Sequence, residues 1–367
     1  MKFTLTKDVI QQAMQKLRPV LNAKGTIPIL AGIKVEAMED CIVLTASNAS
    51  ESIIHRIIPN GDTTKIDSAG AAVLTKEAFE VTSKLSGEIT YELVEKNLQV
   101  TQGKKTSLSF TTMAAEDYPK IGANPTSAPI VLTGQKFSEL ISRTVFAVAK
   151  TETRPVLTGV NLQVGESLQA ISTDSHRLAK VTIPLEEKLE EVSVTIPGKM
   201  LDHALKAFDL SKDILLSIDT SQIAMANGNT IYYSRLLEGN YPDTQRLIPT
   251  TFDGELTVDA KEFTESLQLL STLSSEGVIK LEVDGLFVKL DSKNETAKGH
   301  RELSFIEYTG EAGFTVSFSS GFLLEALKRI DSDAVKLNFC GAQRPFTVEG
   351  VNEKTKQVQL ILPVRTY

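Results

Sequence analysis

FTLTKDVIQQAMQKL, residues 3–17, starts as a short strand and passes through a capping-type threonine. It continues as a helix with Val9, Ile10, Ala13, Met14 and Leu17 on one face. The same strand-then-helix pattern returns at residues 72–85 (AVLTKEAFEVTSKL), 130–144 (IVLTGQKFSELISRT), 194–208 (VTIPGKMLDHALKAF), 256–270 (LTVDAKEFTESLQLL) and 316–330 (VSFSSGFLLEALKRI). Six copies of one module organise the chain, and their columns make physical sense. The third position is always an apolar strand residue: Leu5, Leu74, Leu132, Ile196, Val258 and Phe318. The fourth is Thr6, Thr75, Thr133, Pro197, Asp259 and Ser319, five of which could accept a hydrogen bond from a free N–H of the helix start. The eighth, Ile10, Phe79, Phe137, Leu201, Phe263 or Leu323, is a large anchor for the helix face.

The starts lie about sixty residues apart, room for one helix and three or four strands each. Between the helices the sequence alternates with period two, as in IKVEAMEDCIVLTAS, VNLQVGESLQAIST, VIKLEVDGLFVKLD and TIYYSRLL, with turns expected at Glu39-Asp40, Gly165-Glu166 and Asp284-Gly285. Stretches rich in Pro, Gly, Asn and Thr at 118–129 and 241–254 group the modules in pairs. The expected architecture is α+β: three tandem domains, 1–124, 128–248 and 250–367, each with two helices packed on antiparallel strands.

The chain has 367 residues, with 39 Lys+Arg against 46 Asp+Glu and a formal charge of -7, so nucleic-acid binding would need a local basic surface. Its two cysteines, Cys41 and Cys340, give neither a disulfide framework nor a metal-binding spacing, and a cytoplasmic location is expected. No long apolar run is present, so no membrane association is expected. Nucleotide-binding, zinc-protease and serine-hydrolase motifs are missing, and no metal or cofactor is expected. The run Thr173-Asp174-Ser175-His176-Arg177 holds an acid, a hydroxyl and an imidazole. Neighbours on a strand face opposite ways, however, so Asp174 is better read as a turn anchor than as a catalytic acid.

Comparing the chain with itself locates its distinctive groups. Ile27-Pro28-Ile29-Leu30-Ala31-Gly32 corresponds to Arg154-Pro155-Val156-Leu157-Thr158-Gly159, and Ser47-Asn48 to Thr173-Asp174. The second version adds Arg154, His176, Arg177 and, past Tyr241-Pro242, Gln245-Arg246-Leu247: cations and an imidazole around leucines, the composition of an apolar groove with a polar rim. The chain closes on Leu360-Ile361-Leu362-Pro363-Val364-Arg365-Thr366-Tyr367, too apolar for a free tail. Leu360 and Ile361 suit an edge strand or a groove equally, whereas Pro363, Val364 and Arg365 favour a contact surface.

These segments, with the run Thr173 to Ala179, Tyr241-Pro242-Asp243, Arg246-Leu247-Ile248-Pro249 and Leu362-Pro363-Val364-Arg365, closely resemble the bacterial DNA polymerase III beta subunits, the sliding clamps, over essentially the whole chain. The resemblance implies a non-enzymatic processivity factor, a head-to-tail homodimer closing into a ring around double-stranded DNA without regard to sequence. Its implied partners are the polymerase III alpha subunit, the clamp loader, other polymerases and repair proteins, held through short motifs of the Gln-Leu-x-Leu-Phe kind. Carried over residue by residue, the peptide pocket is Arg154, Leu157, Thr173, Ser175, His176, Arg177, Leu178, Pro242, Arg246, Leu247, Leu360, Leu362, Pro363, Val364 and Arg365, with Arg344 on the loop 341–345 at its edge. Serine stands at 175 where some relatives carry glycine, which would narrow the site. Among the basic residues on or beside the helices, such as Lys16, Arg143 and Arg329, some would face the hole. By family position the DNA contacts are Lys24, Lys76 and Lys199. The dimer contact would involve Thr106 and Leu108 of the first domain and Thr272 and Leu273 of the third.

Overall fold

The structure is a computed structural model that describes residues 1–21, 27–121, 127–151, 153–274 and 276–365. All six modules form, and each is a strand, a helix and a meander. The first is β1 (Lys2–Thr6), α1 (Lys7–Leu21), β2 (Gly32–Ala37), β3 (Ile42–Ser47) and β4 (Glu51–Ile57), with an added β5 (Thr64–Ser68). The second is β6 (Gly70–Thr75), α2 (Lys76–Thr82), β7 (Glu88–Val94), β8 (Asn97–Gln102) and β9 (Thr106–Thr111). The third is β10 (Ile130–Leu132), α3 (Gly134–Ser142), β11 (Gly159–Val164), β12 (Ser167–Thr173) and β13 (Arg177–Pro184). The fourth is β14 (Val192–Pro197), α4 (Gly198–Ala207), β15 (Ile214–Ile218), β16 (Gln222–Asn227) and β17 (Thr230–Arg235). The fifth is β18 (Gly254–Asp259), α5 (Ala260–Ser271), β19 (Val278–Val283), β20 (Val288–Lys293) and β21 (Lys298–Leu303), with an added β22 (Phe305–Thr309). The sixth is β23 (Phe314–Ser319), α6 (Ser320–Leu327), β24 (Ala334–Phe339), β25 (Phe346–Gly350) and β26 (Lys356–Ile361).

The eighth-position anchors are all buried, from Leu323 and Phe263 at 0% exposed to Ile10, Phe79, Phe137 and Leu201 at 1%. The fourth-position column behaves differently from its expected capping role. Asp259 accepts from the Glu262 N–H at 2.7 Å and Thr133 from the Lys136 N–H at 3.3 Å, but Thr75 and Ser319 cap nothing and the Thr6 hydroxyl is buried without a partner. Backbone carbonyls from neighbouring elements take the first helical N–H where the side chain does not cap, Gly87 for Lys7 and Gly277 for Ser320, and Asp333 serves Ala260 alongside the Asp259 cap. A packed helix start can find an acceptor that its own side chain does not supply.

Modules pair by exchanging their first strands. β6 sits beside β2 and β1 beside β7; β14 beside β11 and β10 beside β15; β23 beside β19 and β18 beside β24. Neither member of a pair has a complete sheet alone, which is why six modules make three domains of two helices each.

The chain divides into two compact units, residues 1–138 with 199–236, and residues 139–198 with 237–367. In the first, sheets run β5-β1-β7-β8-β9 and β10-β15-β16-β17-β4-β3-β2-β6; in the second, β14-β11-β12-β13-β26-β25-β24-β18-β22 and β21-β20-β19-β23. Two of these sheets therefore run through the expected domain boundaries, by antiparallel joints between β4 and β17 and between β13 and β26.

The β4–β17 joint buries a titratable group. His55 lies opposite Thr230, its Nδ1 3.0 Å from the threonine hydroxyl, which also accepts from Lys16 Nζ at 3.3 Å. Burial, reinforced by the Lys16 cation, lowers the imidazole pKa from 6.5 to about 4. Folded His55 is thus neutral where the unfolded chain already takes up a proton. Its contribution is complete above pH 6.5 and is lost as pH falls toward 4, to the extent of about 3 kcal/mol. Urea titrations across that range should show a steep acid limb in the native chain and a flatter one in His55→Gln. Lys16 is accordingly held at this joint, and Arg143 is paired with Glu353 where both are largely buried, so neither is a free surface cation.

Candidate functional site

Three β-meanders carry the same turn, in which one Asx carboxyl or amide oxygen accepts two backbone N–H groups: Asn48 from Ser50 and Glu51, Asp174 from His176 and Arg177, and Asn294 from Thr296 and Ala297. Asp174 is therefore a turn anchor, both of its backbone bonds lying at 2.9–3.0 Å. The Thr173 hydroxyl accepts from Ser175 N–H at 3.2 Å and donates to the Arg177 carbonyl at 2.6 Å. Ser175 between them takes φ 76°, a left-handed conformation that costs a residue with a Cβ about 1–2 kcal/mol, which accounts physically for glycine being suited to this position.

Around that turn, unit 2 gathers the sequence-nominated groups. Pro155 opens a short 3-10 turn, Pro155–Thr158, closed by Leu157 N–H on the Arg154 carbonyl at 2.9 Å, which buries Leu157 and leaves Arg154 exposed. The turn leads into Gly159, where a Cβ would fall 2.6 Å from the Ile196 carbonyl oxygen, so only glycine lets β11 lie this close to β14. Leu178 and Leu360, opposite each other across the β13–β26 joint, pack with Ile171 beneath Tyr241 and Ile248. Arg246 and Leu247 stand on a 3-10 turn at Gln245–Leu247; Leu247 is 49% exposed, and Arg246 makes a solvent-facing pair with Asp243 at 3.3 Å. Pro242 is exposed next to them.

The C-terminal segment is tied down. β26 ends at Ile361, Leu362 N–H donates to the His176 carbonyl at 3.0 Å and Val364 N–H to the Ser317 carbonyl at 2.7 Å. Leu362 and Arg365 are exposed, and Pro363 and Val364 half-buried. Arg344 is exposed on the loop before Phe346, which pairs with Ile361, so that loop leaves the sheet at the same end as the tail.

Arg177 occupies a different role from a rim cation. It is 4% exposed, with its Nε on Asp174 at 3.0 Å, one terminal nitrogen on Glu325 and the other on the Phe146 carbonyl at 2.7 Å. The guanidinium lies between the Phe146 and Phe322 rings, 5.2 and 4.7 Å from their centroids, and Phe322 stacks in turn on the exposed His176 ring at 6.3 Å. This strut fixes the turn to α6. Sequence reasoning missed Phe146, Phe322 and Glu325, which come from separate segments and carry no local signal.

Of the nominated DNA contacts, Lys24 lies outside the described residues, Lys76 pairs with Glu80 at 3.2 Å on α2, and Lys199 is exposed at the start of α4. Thr106 and Leu108 are on β9, an edge strand bonded only to β8 among the described residues. Thr272 and Leu273 follow α5, and Leu273 Cδ1 lies 2.6 Å from where Gly299, on the edge strand β21, would carry a Cβ. Among the described residues no cluster of His, Cys, Asp and Glu could hold a metal ion, and no helix is long and apolar enough to cross a membrane.

Comparison with known proteins gives the same assignment along the whole chain. Residues 1–122, 131–243 and 245–365 match the N-terminal, central and C-terminal domains of the DNA polymerase III beta subunit. The beta sliding clamp of Bacillus subtilis is 35% identical over 384 residues, covering 100% of both chains, and that of Staphylococcus aureus N315 is 34% identical over 379 residues with the same coverage. Among solved structures, the beta subunit of Streptococcus pyogenes DNA polymerase superposes with TM-score 0.95 at 30% identity and the Bacillus subtilis sliding clamp with 0.95 at 34%, each covering 100% of both chains. With three tandem clamp domains matched end to end, the chain belongs to the DNA polymerase III beta subunit family, the non-catalytic sliding clamps that serve as processivity factors.

Proposed function

We propose that two copies close head to tail into a ring that encircles duplex DNA and holds partner proteins by short peptides in the unit 2 groove. The observation that carries this is the pattern of joints. β4 joins β17 and β13 joins β26, in each case the strand after an Asx turn meeting the last strand of a later module. The third strand of the first kind, β21 after the Asn294 turn, and the third of the second kind, β9, each keep an unbonded edge among the described residues. Open edges are rarely left bare, and a heterologous contact that closes gives a ring.

The internal joints also supply a register for the proposed one. Glu51 and Arg177, three residues past their Asx anchors, face Ser234 and Ile361, which pair with the buried Ile223 and Phe346. The equivalent positions are Ala297 and Phe110, the latter paired with the buried Leu98. Antiparallel pairing from there would bring Leu108 opposite Gly299 of a second copy, against Leu273. A ring explains how a chain of charge -7 keeps DNA: topology holds the duplex, and contacts from groups such as Lys76 and Lys199 remain weak and salt-sensitive.

In the groove, Leu157, Leu178, Leu247, Leu360 and Leu362 would take the aliphatic and aromatic anchors of a partner peptide, with Arg154, His176, Arg246, Arg344 and Arg365 at the rim. The polymerase III alpha subunit, clamp loader, and other polymerases and repair proteins are its expected owners, and tethering raises the polymerase's local concentration at the primer end. The test is loading on a nicked circular plasmid with a cognate loader. Protein should stay on circles and leave after linearisation; retention on linear DNA would indicate a grip at a site and overturn the ring. Leu247→Asp should weaken a Gln-Leu-x-Leu-Phe peptide by about a hundredfold, a charge replacing an apolar anchor, as read by fluorescence anisotropy.

A further inference from the structure

We propose that unit 1 carries a second peptide groove, for an extended segment presenting an aliphatic or aromatic anchor beside acidic side chains. The analogy rests on the peptide reading of the unit 2 groove; the groove itself does not. Its frame repeats that of unit 2 in detail. Leu30 N–H closes a Pro28–Ala31 turn on the Ile27 carbonyl at 3.1 Å, as Leu157 does on Arg154. Ala49 takes φ 74°, as Ser175 takes 76°, and its N–H donates to the Ser47 hydroxyl at 3.2 Å, as that of Ser175 does to Thr173. Arg235 N–H donates to the Ser50 carbonyl at 3.0 Å, the bond that Leu362 makes to His176. Tyr118 is buried beside the Ser47 backbone, and Tyr241 half-buried beside that of Thr173.

Between these parts opens a cavity of about 320 Å³, with Ile27, Leu30, Ile121 and the Tyr233 ring on its apolar side. Ile27 is 43% exposed, a large aliphatic group left facing solvent at the rim. Its charged lining is cationic, Lys120 and Arg235; among the described residues no carboxylate lines it and neither cation forms an ion pair. Glu51, at the position of Arg177, is not among the lining residues and is otherwise engaged: its carboxylate accepts from Tyr232 at 2.5 Å and lies 3.1 Å from His203. The surplus positive charge selects an acidic occupant, and the aliphatic wall selects an apolar anchor. A polynucleotide would satisfy the cations but not Ile27, Leu30 and Ile121, so the observations favour peptide.

The test titrates the full chain with a fluorescein-labelled, C-amidated Asp-Glu-Leu-Asp-Leu-Phe peptide. Leu247→Asp, which blocks the unit 2 groove, should leave one site per chain. Adding Lys120→Glu and Arg235→Glu, both exposed, should weaken that remaining site at least about tenfold without moving the thermal midpoint, and replacing the peptide's acids by lysine should do the same. A version with a benzophenone in place of the Phe ring should crosslink to the segment around Ile27 or Ile121. No residual binding in Leu247→Asp, or residual binding indifferent to the charge reversals, would overturn the proposal while leaving the unit 2 groove standing. A single site lost only with Lys120 and Arg235 would instead overturn the unit 2 reading. A single-stranded oligonucleotide that displaces the peptide through those two cations would replace peptide by nucleic acid and overturn this proposal as stated.

Discussion

Leu273→Asp should sediment as a 40.0 kDa monomer where the native chain runs at twice that mass. In the proposed register Leu273 covers Gly299 on β21 and receives Leu108 from the second copy, so the substitution sets a carboxylate in a closing apolar contact. Burying an unpaired charge costs several kcal/mol at each of the ring's two contacts. Leu273 is half-buried at the edge of the unit 2 core, so the variant should still fold, with a cooperative thermal transition whose midpoint lies a few degrees below that of the native chain. It should load on circular DNA without being retained. A variant that still sediments as a dimer would place the contact elsewhere and remove the β9–β21 pairing with it.

The second large effect is expected at Arg177. Arg177→Met keeps a flexible apolar stem between the Phe146 and Phe322 rings but strips the cation from Asp174 and Glu325 and the donor from the Phe146 carbonyl. Breaking a buried pair costs about 3–5 kcal/mol; the lower end applies here because Glu325 is 44% exposed and water recovers part of its charge. Urea unfolding should show that loss, and adding Glu325→Gln should recover part of it, the signature of a coupled pair. Peptide affinity should fall by more than about tenfold in the same variant, because the turn bearing Ser175 and His176 loses its tie to α6. Equal stability of Arg177→Met and native chain would make the residue a rim cation after all.

Arg177 also shows where sequence reading reached its limit. Its place on the Asp174 turn follows from the internal repeat, and a cation beside leucines reads naturally as the polar rim of a groove. Whether that guanidinium meets solvent or a carboxylate depends on Glu325 and two phenyl rings, from other segments of the chain, that no local pattern announces. The capping column, kept at Asp259 and Thr133, failed elsewhere for a related reason. Thr6 and Ser319 are suitable caps by type, yet the helix starts at Lys7 and Ser320 are served by carbonyls of Gly87 and Gly277, which only packing brings near.

What the sequence determined by itself is periodic and local: six strand-helix modules, the buried anchors from Ile10 to Leu323, the meander turns and the recurrent Asx positions, because side-chain alternation and helix-face spacing act between near neighbours. The exchange of first strands within each pair, the sheets that cross the expected domain boundaries and the position of β9 and β21 at sheet edges were decided by tertiary structure alone. Backbone hydrogen bonding between strands is nearly blind to residue type, so nothing in the order of side chains says which of several similar strands will become neighbours.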